Sequence, residues 1–255
     1  MRIIDAHTHP VFMHDGATPA AIRRLVAHGR AHGIVKMVAL GDVLVHGRLP
    51  NAAQCRRIND ETAQLMRWHP DYFIGLCCLN PTLGALAVER EVERCVTQHG
   101  FRGIKLEISN NARDACMGAV MAAARRWNLI VLQHTWSQTN IHQRRYHSDP
   151  ADTAGLARRY PDVSIIMAHL TGCGYRGVLE AKDLPNLFVD TSGAYPEAEI
   201  LDFAVQELGA ERILYGSDLP IRETSVTLGR VLGARLTAQQ RRLILHDNAA
   251  KLFRL

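Results

Sequence analysis

The 255-residue chain contains no run near the roughly 20 consecutive apolar residues that a bilayer-spanning helix needs, so no such helix is expected. An uninterrupted apolar leader is missing too: Asp5 and His7 break the opening Met1-Arg2-Ile3-Ile4-Asp5-Ala6-His7, so no secretory signal is expected there. No Pro/Gly/Ser-rich linker and no low-complexity tract divides the chain, so one domain over residues 1–255 is expected. The six cysteines, Cys55, Cys77, Cys78, Cys95, Cys116 and Cys173, form no C-x-x-C pair. A chain of this length needs no disulfide staples, and reduced thiols in a cytoplasmic protein are expected. Charge of one sign is scarce as well: 30 Lys and Arg stand against 25 Asp and Glu, a net +5. The arginines are scattered in pairs such as Arg56-Arg57 and Arg125-Arg126, with no basic stripe interleaved with aromatics, so nucleic acid is not an expected partner. A G-x-G-x-x-G turn does not follow the first strand candidate, which argues against a dinucleotide-binding sheet.

What is present is an alternation. Short apolar or β-branched runs, at Arg2–Ala6, Val35–Leu40, Phe73–Leu79, Gly103–Glu107, Leu129–His134, Ser164–His169, Leu187–Asp190 and Ile213–Gly216, read as strands. Amphipathic runs between them read as helices: Pro19–His32, Ala52–Trp68, Ala85–His99, Ala112–Trp127, Pro150–Tyr160, Arg176–Ala181, Glu197–Leu208 and Thr224–Leu232. A further pair follows at Ala238–Leu245 and Asn248–Leu255. The strands are apolar nearly throughout, as parallel strands covered on both faces are. Repeated strand–helix units of about 30 residues predict a single (β/α)8 TIM barrel with extra C-terminal helices, ahead of an open doubly wound sheet.

In such a barrel chemistry sits at the C-terminal ends of strands. The first strand ends in Asp5-Ala6-His7-Thr8-His9, the fourth in Lys105-Leu106-Glu107, the fifth in Gln133-His134-Thr135-Trp136, the sixth in Ala168-His169 and the eighth in Gly216-Ser217-Asp218. His7 and His9, two apart in an extended segment, fall on one side. Alone an H-x-H is weak. Four histidines and an aspartate at one end of a barrel are hard to explain by packing, because buried imidazoles and carboxylates need partners. A divalent cation supplies one, and zinc is the first expectation for such ligands. His14, His142 and His147 are loop histidines within reach of the mouth. Asp190, ending the seventh strand, is expected to cap a loop or hold a histidine from behind, and Asn248 to cap the last helix.

Together Ile4-Asp5-Ala6-His7-Thr8-His9, Gly103-Ile104-Lys105-Leu106, Leu132-Gln133-His134-Thr135, Ile166-Met167-Ala168-His169-Leu170-Thr171-Gly172, Tyr215-Gly216-Ser217-Asp218-Leu219-Pro220 and Asn248-Ala249-Ala250-Lys251-Leu252-Phe253 resemble the amidohydrolase superfamily. The nearest branch contains aminocarboxymuconate-semialdehyde decarboxylase and related metal-dependent hydrolases. The resemblance runs the length of the chain and leaves no residues for the superfamily's small β-sandwich. It implies that His7, His9 and Asp218 bind a metal, that His134 is a further ligand, and that Asp218 takes a proton from bound water. It implies that His169 either binds a second metal or acts as a base behind the first. On the fourth strand, Glu107 or a carboxylated Lys105 would bridge two metals, or the two would pair with each other beneath a single one. One or two ions per chain are therefore expected.

The activity this implies first is hydrolysis of an ester, lactone or amide of a small molecule, with Asp218 and His169 as catalytic residues. The alternative is non-oxidative decarboxylation or hydration of a small carboxylic acid at a single metal. A ligand-binding barrel without catalysis and a metal-dependent nuclease fit the motifs less well. Trp136, Arg176 and Tyr195 are the candidate substrate-binding residues, and Arg144, Arg145 and Arg222 are weaker candidates for holding a carboxylate. Oligomeric state, a homo-oligomer included, is left open.

Overall fold

A computed structural model describes residues 1–10, 17–41, 44–108, 110–137 and 145–255. Among them, eight parallel strands form one sheet in the order of the chain: β1 (Ile3–Thr8), β2 (Ile34–Ala39), β3 (Phe73–Cys78), β4 (Gly103–Leu106), β5 (Ile130–Gln133), β6 (Ile165–Met167), β7 (Leu187–Asp190) and β8 (Ile213–Leu214). The sheet curls until its first and last strands meet. Ala6 N donates to Tyr215 O at 2.8 Å, His9 N to Leu219 O at 2.7 Å and Asp218 N to His7 O at 2.8 Å. The result is the expected (β/α)8 barrel.

Helices α1 (Pro19–Ala31), α2 (Ala52–Trp68), α3 (Ala85–His99), α4 (Met117–Trp127), α5 (Pro150–Arg159), α6 (Leu170–Ala181), α7 (Ile200–Leu208) and α8 (Thr224–Gly233) alternate with the strands. Side chains of successive strand residues point to opposite faces, and this alternation splits the core in two. Ile104, Leu106, Val131, Ile165, Leu187 and Ile213 pack outward against the helices. Ile4, Val38, Ile74, Leu76, Leu132, Ile166 and Leu214 fill the barrel interior, and Ala249 and Phe253 join them. Those last two come from the C-terminal segment α9 (Ala238–Arg242), a π-turn over Leu243–Asp247 and α10 (Asn248–Leu252). No helix among the described residues is long and apolar enough to cross a membrane.

Several elements differ from expectation. α6 starts six residues earlier, through Thr171 and Gly174, whose backbones are not helical. α4 starts at Met117, because the residues before it form a turn in which Asn111 Oδ1 accepts from Arg113 N at 3.0 Å. Asn248 is not a helix cap. Its Nδ2 donates to Ala210 O at 2.7 Å and Ile213 O at 2.8 Å, which anchors the entry to β8.

Candidate metal centre

The seam where β1 meets β8 brings three donor atoms together. His7 Nε2 and His9 Nε2 lie 3.2 Å apart, and Asp218 Oδ1 is 3.6 Å from each. The backbone bond from Asp218 N to His7 O locks the two segments in this register. Gly216 permits the approach: a Cβ there would lie 3.0 Å from His7 Cβ and 3.2 Å from Asp190 Cβ. His169 and Asp218 both adopt left-handed backbone, with φ of 69° and 63°. Side-chain-bearing residues rarely occupy that region, and those that do cluster at functional sites.

Protons decide what this cluster can hold. His7 Nδ1 sits 2.8 Å from Asp190 Oδ2, and His9 Nδ1 sits 3.3 Å from the Gly41 carbonyl. Each partner only accepts, so each Nδ1 carries the hydrogen and each Nε2 presents a lone pair. Burial, with the Lys105 ammonium adding to it, pushes His7, His9, His134 and His169 well below the ordinary imidazole range, so all four are neutral near pH 7. Burial also pushes the Asp218 carboxyl up to about 7. Two lone pairs facing each other at 3.2 Å repel unless a cation lies between them. Ligands on one ion at about 2.0–2.1 Å stand roughly 3.4 Å apart at a tetrahedral angle, which matches the spacing seen. The donor set therefore fits a divalent ion.

The other expected residues divide. His169 joins a second buried group with His7 and Asp190, and its ring lies 4.9 Å from that of His7. His134 stacks edge-on against His169 at 4.8 Å, and its buried Nδ1 makes no hydrogen bond. Trp136 lies edge-on to His169 at 5.4 Å and to the half-exposed Tyr195 at 5.4 Å, so these two form one wall beside the histidines. Glu107 belongs to neither donor group. It stands one residue past β4, where the chain turns and Asn110 N donates to its carbonyl at 3.0 Å. Whether Glu107 bridges two ions is therefore a matter for metal counting. Lys105 does not form the alternative ion pair: its Nζ, fully buried in the barrel, makes no hydrogen bond.

Arg176, a candidate for holding substrate, is already engaged. Its guanidinium is forked onto Asp149, at 2.7 and 2.6 Å, and Asp149 caps the start of α5. A planar fork spent on a carboxylate in this way has little left for a second one. Arg145 lies over the Tyr146 ring, and Arg222 donates its backbone N to Asp218 O at 3.0 Å. His147 pairs with Arg48 at 3.3 Å, and its ring lies 6.4 Å from that of His134. Arg144, His14 and His142 lie outside the described residues. Ser192 carried no signal in the sequence, yet its Oγ is 2.8 Å from His169 Nδ1.

A family model described as Amidohydrolase matches residues 4–255. The chain belongs to the amidohydrolase family. Among curated relatives, the gamma-resorcylate decarboxylase of Rhodococcus jostii (strain RHA1) is 25% identical over 252 residues, spanning 78% of this chain and 76% of that protein. A crystal structure of 2,6-dihydroxybenzoate decarboxylase complexed with 2,6-dihydroxybenzoate superposes with a TM-score of 0.76 at 19% identity, covering 100% of this chain and 99% of the other. The dihydroxybenzoic acid decarboxylase of Polaromonas sp. JS666, with bound manganese and 2-nitroresorcinol, gives 0.73 at 19%, covering 100% and 97%. At such identities the superpositions speak for the fold.

These relatives correct the first functional expectation. Hydrolysis does not stand, because the proteins the chain resembles are decarboxylases and match the alternative. The physical reason is that an ion activating water and an ion gripping a substrate oxygen use the same imidazole and carboxylate ligands. Ligand spacing in a sequence does not separate the two.

Proposed function

We propose that this amidohydrolase-family chain is a metal-dependent, non-oxidative decarboxylase of a small hydroxylated aromatic acid. One observation carries the reading: the His7, His9 and Asp218 acceptors converge on a single cation-sized spacing, in a chain similar to a gamma-resorcylate decarboxylase. His7, His9 and Asp218 would hold one ion, with His169 and His134 as neighbouring donors. Manganese is the first ion to test, since the Polaromonas structure carries it, and zinc the second.

When bound, the ion supplies a Lewis acid for substrate oxygens. The rest falls to the side chains. Breaking the bond between ring and carboxylate releases CO2 and leaves an electron pair on the ring carbon, which must take up a proton. Asp218, whose carboxyl burial pushes up to about 7, is the group we assign to deliver that proton to the ring carbon, with the His169 lone pair at the same end of the barrel to relay its replacement. Trp136 and Tyr195 offer an aromatic wall against which a flat ring can lie. His7, His169 and Asp218 are each at most 4% exposed, so little water surrounds the departing carboxylate. Loss of that hydration favours a transition state in which the carboxylate charge disperses.

The test is to strip the protein of metal, reload it with manganese or zinc, and incubate it with 2,6-dihydroxybenzoate and other ortho-hydroxybenzoates. Equal amounts of CO2 and the matching phenol, from reloaded protein alone, are expected. An ion-loaded protein that decarboxylates none of them overturns the reading.

A further inference from the structure

One carboxylate touches both groups of histidines. Asp190 is completely buried, and so are His7 and Ser192. Its Oδ2 faces His7 Nδ1 at 2.8 Å. Its Oδ1 accepts from His169 N at 3.1 Å, from Ser192 N at 3.0 Å and from the Ser192 hydroxyl. Ser192 Oγ in turn lies 2.8 Å from His169 Nδ1.

The hydrogens follow from counting. An ionised carboxylate only accepts, so His7 carries its hydrogen on Nδ1. The single Ser192 hydroxyl hydrogen goes to Asp190 Oδ1, so Oγ can only accept from His169. His169 therefore also carries its hydrogen on Nδ1. Both imidazoles are left with Nε2 as the lone-pair atom, and both rings are held by bonds ending on one residue. Asp190 lies close enough to His7 and His169 to be mistaken for a ligand itself. Its oxygens are occupied: one takes three hydrogen bonds and the other takes the His7 hydrogen.

We propose that Asp190 is a positioning residue that sets the tautomers of two histidines at once, His7 directly and His169 through Ser192. The inference rests on the metal reading above, but its readouts need no substrate. Asp190→Asn keeps the shape and removes the charge. An amide has one accepting oxygen and one donating nitrogen, so it cannot satisfy Ser192 and His7 together. Whichever way it turns, one histidine faces a donor and moves its hydrogen to Nε2. Partners behind metal-bound histidines are worth about 10–100-fold in metal affinity, and a loss in that range is expected here.

The experiment uses the full chain, labelled with 15N at histidine and stripped of metal. Long-range proton–nitrogen spectra report which ring nitrogen carries hydrogen, with His7→Ala and His169→Ala assigning the signals. Wild type should show both rings protonated at Nδ1. Asp190→Asn should shift at least one ring to Nε2–H, and manganese titration should show 10-fold or greater weakening. Ser192→Ala should disturb the His169 signal and leave His7 as in wild type, which keeps the test open if Asp190→Asn fails to fold. Wild-type tautomers together with wild-type manganese affinity in Asp190→Asn, or an unmoved His169 in Ser192→Ala, overturn the proposal. If the wild type binds manganese but decarboxylates nothing, the proposed function fails and this inference stands.

Discussion

Lys105 is the least comfortable residue in the barrel. Its ammonium is fully buried without a hydrogen bond, and its charge acts on His7, His9, His134, His169 and Asp218. A buried charge of the same sign as an incoming cation opposes its binding. Lys105→Met should therefore bind manganese several-fold more tightly than wild type in a calorimetric titration; weaker binding would show that the ammonium supports the site instead. On the proposed assignment, Asp218→Asn removes both a ligand charge and a proton carrier. A fall in kcat of about 10²–10⁴-fold, with the unfolding temperature of the metal-free protein kept within a few degrees, is the expected outcome in steady-state kinetics and thermal melts. At this scale the sequence was informative about the donors. His7, His9, His169 and Asp218 stand where strand ends placed them. It was mute about Ser192, because a serine two residues beyond a strand has no pattern to set it apart until the fold brings it under His169.

Elements were legible where periodicity is strong. The ranges of α2, α3 and β7 agree residue for residue with their sequence patterns, and most other boundaries fall within a few residues. The failures have local causes. The start of α6 reads Thr171-Gly172-Cys173-Gly174, which looks like loop because glycine disfavours helix. The reason for Gly172 lies across space: a Cβ there would be driven into the six-membered ring of Trp136. Gly172→Ala should displace that indole. Overpacking of this kind destabilises by about 1–3 kcal/mol, so the melting temperature should drop and the intrinsic fluorescence should change. An unchanged melt and spectrum would mean that the α6 start yields without moving Trp136. The bounds of α4 failed because Asn111 builds a turn from its own side chain, a competition with helix that no hydrophobic pattern records.

Closure of the whole barrel and the geometry of the site share the same bonds. The hydrogen bonds that join β1 to β8 run through His7, His9 and Asp218. Weakening the closure should therefore loosen the centre from a distance. Asn248 offers the means: it holds Ala210 O and Ile213 O at the foot of β8. Asn248→Ala strands two carbonyls, at about 1–3 kcal/mol in a chemical-denaturation experiment, and weaker manganese binding should accompany the lost stability. Full manganese affinity in a destabilised Asn248→Ala protein would uncouple the two. The barrel was legible in the sequence because eight buried parallel strands leave eight apolar runs. The reaction was not, because the same ligands serve hydrolysis and decarboxylation. The measurement that bears most directly on the account is a manganese titration of metal-free protein with CO2 release from 2,6-dihydroxybenzoate followed at each addition. The account expects release to appear with the ion and to level off at one equivalent per chain. No CO2 at any loading, or activity that climbs to a second equivalent, would contradict it.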